Sequence, residues 1–183
     1  MYSGLSGVPQ VCYQNGVAMA ESKSYNTVLT MAHEIGHSLG VIHDGSDEAE
    51  DCDHEKFIMS PTTGIGKLDW SLCALRQIKS TLVDSTAKCL FEKNGNPIKE
   101  WSQQTAGSSL EEQCYFGYGS SFKPHELKPY QKVCSTLFCK SSFFMVAANP
   151  AVDGSPCKGI YMEQPTIGKC CKGRCIIQQA QCE

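Results

Sequence analysis

Between His33 and Asp44 the chain reads H-E-I-G-H-S-L-G-V-I-H-D, and the spacing of its three histidines constrains the local fold more than any other feature. On a helix His33 and His37 leave the same face one turn apart, so both imidazoles can reach one ion. Gly40 then stands where a helix stops, because glycine accepts the left-handed conformation that turns the chain and lets His43 supply a third nitrogen. Glu34 lies too close to the first ligand to share the ion. It is well placed to take a proton from a water at the open fourth position. A structural zinc site usually closes with four protein ligands and often uses cysteine, so three converging histidines favour a catalytic ion.

The flanking residues predict a helix running to about Leu39, with Ser24 or Asn26 able to cap its start. Val28, Met31, Ala32, Ile35 and Leu39 fall at helical spacing and form one apolar stripe, with the two histidines projecting from nearly the opposite side. This pattern predicts a helix wedged between core and cleft.

The full pattern H-E-x-x-H-x-x-G-x-x-H resembles the zinc sequence of the metzincins, and Asp44 after it resembles the adamalysin (reprolysin) branch. That resemblance implies a zinc endopeptidase with an α+β fold and a Met-turn downstream. Phe57 to Pro61, F-I-M-S-P, is similar to that turn. By the same resemblance Met59 underlies the three histidines without binding the metal, while Gly40 and Asp44 support the site. Gly4 to Cys12 resembles the end of the last strand before the zinc helix. In such proteases most of a sheet precedes that helix, whereas 32 residues precede His33 here. The resemblance therefore implies a piece lacking much of the sheet, and a non-catalytic extracellular binding fragment acting through the cysteine-rich tail is the alternative function.

Twelve cysteines, an even number and far above ordinary usage, imply an oxidising, extracellular compartment and a secretory signal upstream of Met1. Net charge of −3 and the lack of a basic stripe give no reason to expect nucleic acid. The longest apolar run, Phe143 to Ala148, is far short of a span, so no membrane partner is expected. The acidic stretch Ser46 to Asp53 lacks the regular ligand spacing and turn glycine of a calcium hand and reads as a solvated loop, which leaves Ca²⁺ possible but unsupported. His54 lies outside the motif spacing and reads as a loop residue. Tyr13 to Ser24 is polar and reads as a loop.

Leu72, Leu75, Ile78 and Leu82 at helical steps predict a helix within Trp70 to Val83, capped by Ser71. It resembles the last helix of the adamalysin catalytic domain, which the resemblance places at residues 1–91. Residues 92–109 are polar, carry Gly, Pro and Ser, and read as a linker in which Trp101 is a lone apolar landmark.

Residues 110–183 hold eight cysteines and few aliphatic residues, so disulfides must fix their shape. The steps Cys134 to Cys139 and Cys170 to Cys175 are not C-x-x-C zinc pairs. Q-C-Y-F-G at Gln113, V-C-S-T-L-F-C at Val133, D-G-S-P-C at Asp153 and C-C-K-G-R-C at Cys170 resemble the disintegrin-like module of ADAMTS enzymes. Two cysteines of that module, partners of each other in the family, have no counterpart here. The resemblance implies Cys12–Cys89, Cys52–Cys73, Cys114–Cys139, Cys134–Cys170 and Cys157–Cys175, leaving Cys171–Cys182, with Cys170 and Cys171 able to exchange roles. No R-G-D occurs. A protease of this size and module is similar to secreted, tick-type salivary metalloproteases of arthropods, which implies a monomer acting on matrix or clotting proteins.

Overall fold

In the computed structural model, residues 4–21, 26–62, 67–92, 109–125, 133–148, 150–161 and 164–177 are described. They fall into two compact units, the first within residues 1–22 and 27–100 and the second within residues 23–26 and 101–183. Most of the expected linker, Trp101 included, lies outside the described residues, as does Ser24.

The first unit opens with a short antiparallel pair, β1 (Gly4–Ser6) and β2 (Ala18–Ala20), in which Leu5 faces Met19. Part of the stretch expected to be loop is thus strand, because Ala-Met-Ala pairs with β1 in spite of its polar surroundings. Helix α1 follows at Asn26–Ser38. The acidic stretch holds one 3-10 turn, Asp47–Ala49, and α2 spans Leu72–Val83 before a second 3-10 segment, Ser85–Leu90. Ser71 caps α2 by accepting from the Ala74 backbone N–H. Cys12–Cys89 ties the beginning of the unit to its end, and Cys52–Cys73 ties the acidic loop to α2.

The core of this unit is small: Val41, Met59 and Ala74 are wholly buried, with Ile58, Trp70 and Ile78 packed around them. It corrects the expectation for α1. Val28, Met31 and Ile35 are 62%, 51% and 50% exposed, so the apolar stripe does not face the core. The helix meets the core at Gly36, on the same face as His33 and His37, because a residue without a side chain lets Met59 and the Trp70 ring come up against the backbone. A Cβ at Gly36 would stand 2.6 Å from the Met59 sulfur and 2.9 Å from Trp70. In α2 as well, Leu72, Leu75 and Leu82 are exposed, while Cys73 and Ala74 are buried. Periodicity located both helices but not their covered faces.

The second unit begins with α3 (Leu110–Tyr118), started by a capping box in which Ser109 and Glu112 each bond the other's backbone N–H. Two three-stranded antiparallel sheets follow, β3 (Lys123–His125), β4 (Phe138–Lys140) and β5 (Met145–Ala147), then β6 (Pro156–Tyr161), β7 (Gln164–Cys171) and β8 (Arg174–Ile176). Its core is largely sulfur: Cys114, Cys134, Cys139, Cys157 and Cys170 are buried with Leu137, Ala148 and Ala151. The bridges are Cys114–Cys139, Cys134–Cys170 and Cys157–Cys175. Cys171 is disulfide-bonded, and Cys182 lies outside the described residues. One polar link crosses this interior, where the buried Gln113 donates to Ser155 Oγ at 2.8 Å and accepts from the Val152 N–H at 3.0 Å.

Candidate metal centre

Helix α1 carries His33 and His37 on one face, as their four-residue separation requires. The helix ends through hydrogen bonds from the Leu39 N–H to Ile35 and from the Gly40 N–H to His37. Gly40 sits at φ +89°, and a Cβ there would stand 2.5 Å from Thr81 Oγ1, so both backbone and space call for glycine. The turn beyond it is held by Gln77 Oε1, which accepts from the Ile42 N–H at 3.0 Å. This brings His43 back over α1.

The three imidazoles converge. Nε2 of His43 lies 3.2 Å from Nε2 of His33 and 3.2 Å from Nε2 of His37, with ring centroids 4.7 to 5.1 Å apart. The outer nitrogens settle the tautomers. His33 Nδ1 donates to the Ile58 carbonyl at 2.7 Å, and His37 Nδ1 donates to the Val41 carbonyl at 2.7 Å. In the neutral rings both Nε2 atoms therefore present lone pairs towards His43. His43 Nε2 faces both lone pairs, an arrangement that one cation shared by the three rings would satisfy. Zinc at about 2.05 Å from each nitrogen in a tetrahedron would set them about 3.3 Å apart, so the donor set fits a zinc ion.

Charge regulation points the same way. Burial lowers the pKa of His37, and burial with the neighbouring His37 and His33 takes His43 down to about 4. Such rings are neutral and ready to ligate at physiological pH. Two other groups of side chains among the described residues are close enough to hold an ion, Cys134 with Cys157 and Cys175, and Asp44 with Cys52 and Cys73. Their sulfurs are consumed in disulfides. His54 is 64% exposed, with its Nε2 3.9 Å from Glu55, and it does not join the triad.

Met59 is wholly buried, in the turn where the Asp44 N–H donates to the Met59 carbonyl at 3.0 Å. Asp44 is 1% exposed; its Oδ1 accepts from Ser71 Oγ at 2.5 Å, while Oδ2 has no partner. Burial raises the Asp44 pKa, and the Ser71 hydroxyl pulls it back. Glu34 is 6% exposed, and β1 passes so close that a Cβ on Gly4 would overlap its carboxylate. Ser38, one turn further on the same face, bonds Ser6 through its hydroxyl and accepts from the Gln10 and Val11 N–H groups.

Two anchors of the site escaped the sequence. Ser71 announces a helix cap, but nothing in its spacing announces the bond to Asp44. Lys67, 8% exposed, buries its ammonium against Ser60 Oγ, the Thr62 carbonyl and Thr62 Oγ1, clamping the chain just past Met59. Burial lowers the Lys67 pKa.

Residues 1–94 match the reprolysin (M12B) family zinc metalloprotease model, and residues 106–176 match ADAMTS cysteine-rich domain 2. The chain is similar to "A disintegrin and metalloproteinase with thrombospondin motifs like" of Bombyx mori, 34% identical over 90% of this chain and 24% of that protein. It is similar also to motifs 7 of the same series from Mus musculus, 30% identical over 98% of this chain and 11% of that protein. A third relative, motifs 6 from Homo sapiens, is 28% identical over 94% of this chain and 16% of its own length. The chain spans a quarter or less of each of these relatives.

Proposed function

The chain belongs to the reprolysin (M12B) family of zinc metalloproteases, and on that premise we propose that His33, His37 and His43 hold one catalytic zinc and that Glu34 is the general base of a metalloendopeptidase. The observation that carries this reading is the approach of His43 Nε2 to 3.2 Å from Nε2 of both His33 and His37, with the outer nitrogens of His33 and His37 pinned to backbone carbonyls. Zinc bound there would supply a Lewis acid and lower the pKa of a bound water to about 7. The residues of the chain do the rest. Glu34 accepts the proton of the attacking water and delivers it to the leaving amine. The two carbonyls orient the ligand rings, and Met59, Gly40 and Asp44 fix the floor and the turn beneath them. Disulfides in both units support an oxidising, extracellular setting, with extracellular proteins as substrates.

The test compares the chain, and a version extended upstream, with their Glu34→Ala and His37→Ala variants. Zinc is measured by elemental analysis and hydrolysis on denatured casein. Glu34→Ala should keep its zinc and lose hydrolysis, whereas His37→Ala should lose both. Hydrolysis surviving Glu34→Ala would remove the proposed base. Zinc binding without hydrolysis by this chain, with hydrolysis in the extended version alone, would assign the 183 residues to binding and metal retention.

A further inference from the structure

The longest apolar run of the sequence begins on the surface of the second unit and ends in its core at Ala148. The turn from β4 to β5 projects Phe143 and Phe144, which are 89% and 69% exposed, beside Met145 at 49%. It is not a loose loop. The Ser141 N–H donates to the Phe144 carbonyl at 2.8 Å, and Ser141 Oγ accepts from the Phe144 and Phe143 N–H groups at 3.1 and 3.4 Å. Its root is covalent, because Cys139 in β4 is buried and bridged to Cys114 in α3. Two adjacent large apolar rings are therefore held out in water on a stiff mount, a feature that points to a contact outside the chain.

The residues behind the tip say what kind. Lys123, Lys140 and Met145 face one another across β3, β4 and β5, so their side chains share one face of the sheet, and both lysines are exposed. Neither these three strands nor the turn contains an acidic residue. From Ser109 to Glu183 there are eight lysines and arginines against six acidic residues, although the whole chain is acidic. Lys140 precedes Phe143 by three residues, so their Cα atoms are no more than about 11 Å apart, and Lys123 stands opposite Lys140 in the ladder.

We propose that this turn is an interfacial anchor: Phe143 and Phe144 enter the surface of an anionic phospholipid membrane while Lys140 and Lys123 meet its headgroups. A projecting tip with both rings bare needs either a matching pocket or a medium that deforms around it. A bilayer interface is such a medium, and amphipathic segments sink about 5–10 Å into it, enough to take up two side-chain rings at the tip of a turn. Each lysine at an anionic surface strengthens binding about fivefold. No helix among the described residues is long and apolar enough to cross a membrane, and none is required. The short apolar run that excludes a span is still long enough for a surface contact of this kind.

The experiment is co-sedimentation of the full chain with vesicles of phosphatidylcholine, alone and mixed with phosphatidylserine. The chain should bind the mixed vesicles, and less so in high salt. The pair Phe143→Ser and Phe144→Ser should weaken that binding at least about tenfold. The pair Lys123→Glu and Lys140→Glu should abolish the preference for phosphatidylserine, whereas Phe143→Trp should still bind, its emission shifting blue on the vesicles. Thiol titration of each variant checks that the bridges are closed. Three results would overturn the proposal: no binding to either vesicle, binding indifferent to the phenylalanine pair, or a phenylalanine pair that changes only self-association in sedimentation and so marks a protein contact.

Discussion

Replacing Ser71 with alanine tests how the turn that carries His43 and Asp44 is fastened to the rest of its unit. The hydroxyl has two partners, the Ala74 N–H at 2.9 Å and Asp44 Oδ1 at 2.5 Å, and is itself wholly buried. Loss of the helix cap costs about 1 kcal/mol. Loss of a hydrogen bond to a charged group costs about 1.5–3 kcal/mol, and Asp44 has no second bond to fall back on, since Oδ2 is unpartnered. The sum is about 3 kcal/mol, a large share of the 5–15 kcal/mol typical of a domain.

The pH dependence has a definite sign. Burial already holds the Asp44 carboxyl above its usual range, and Ser71 opposes this most, with His33 adding to that opposition. In Ser71→Ala the carboxyl rises further. A carboxyl whose pKa is higher folded than unfolded favours the folded state as pH falls through the folded value, so the deficit should be fullest at neutral pH and shrink in acid. Urea unfolding followed by Trp70 emission, in a Trp101→Phe background, measures it. A cycle with Asp44→Asn isolates the pair, with a coupling of about 1–2 kcal/mol expected. A deficit below about 1 kcal/mol at neutral pH, or additivity in the cycle, would refute the reasoning.

Two further outcomes follow from the same geometry. Gly36→Ala, which helix propensity alone would make stabilising by about 1 kcal/mol, should instead destabilise by about 1–3 kcal/mol because the new methyl meets Met59 and Trp70; a rise in urea midpoint would contradict the packing. Zinc should survive dialysis at about pH 6, below the ordinary 6.5 of histidine, because the lowered pKa values of His37 and His43 keep those rings neutral there. Release should come as pH falls towards the value of about 4 for His43, and complete loss by pH 6 on elemental analysis would contradict this.

The sequence announced what is local in this molecule. Four-residue spacing set two histidines on one helix face, a glycine announced the turn, and Ser71 announced the start of α2. What it did not announce depends on contacts between distant segments. The apolar stripe on α1 has the right period, but a core needs an opposing surface, and the surface present meets the helix at Gly36, which hydrophobicity patterns do not count. Lys67 carries no signal at all, because three oxygens around an ammonium are assembled only when the chain past Met59 folds back on itself. In the tail the capping box Ser109-x-x-Glu112 was legible in principle, yet the polar text around it read as linker. The hairpins of β3 to β8 are short and sparsely alternating, so pairing, rather than pattern, defines them.

The bridge from Cys12 to Cys89 encloses His33, Glu34, His37, His43 and Met59 in one covalent ring. Cleavage of a single peptide bond in the acidic loop would open the backbone without setting any of these groups adrift. Such a nicked molecule would still run as one band without reductant, and would separate into two only once its thiols were freed. The three histidines and Glu34 thereby stay in one piece after a first cut.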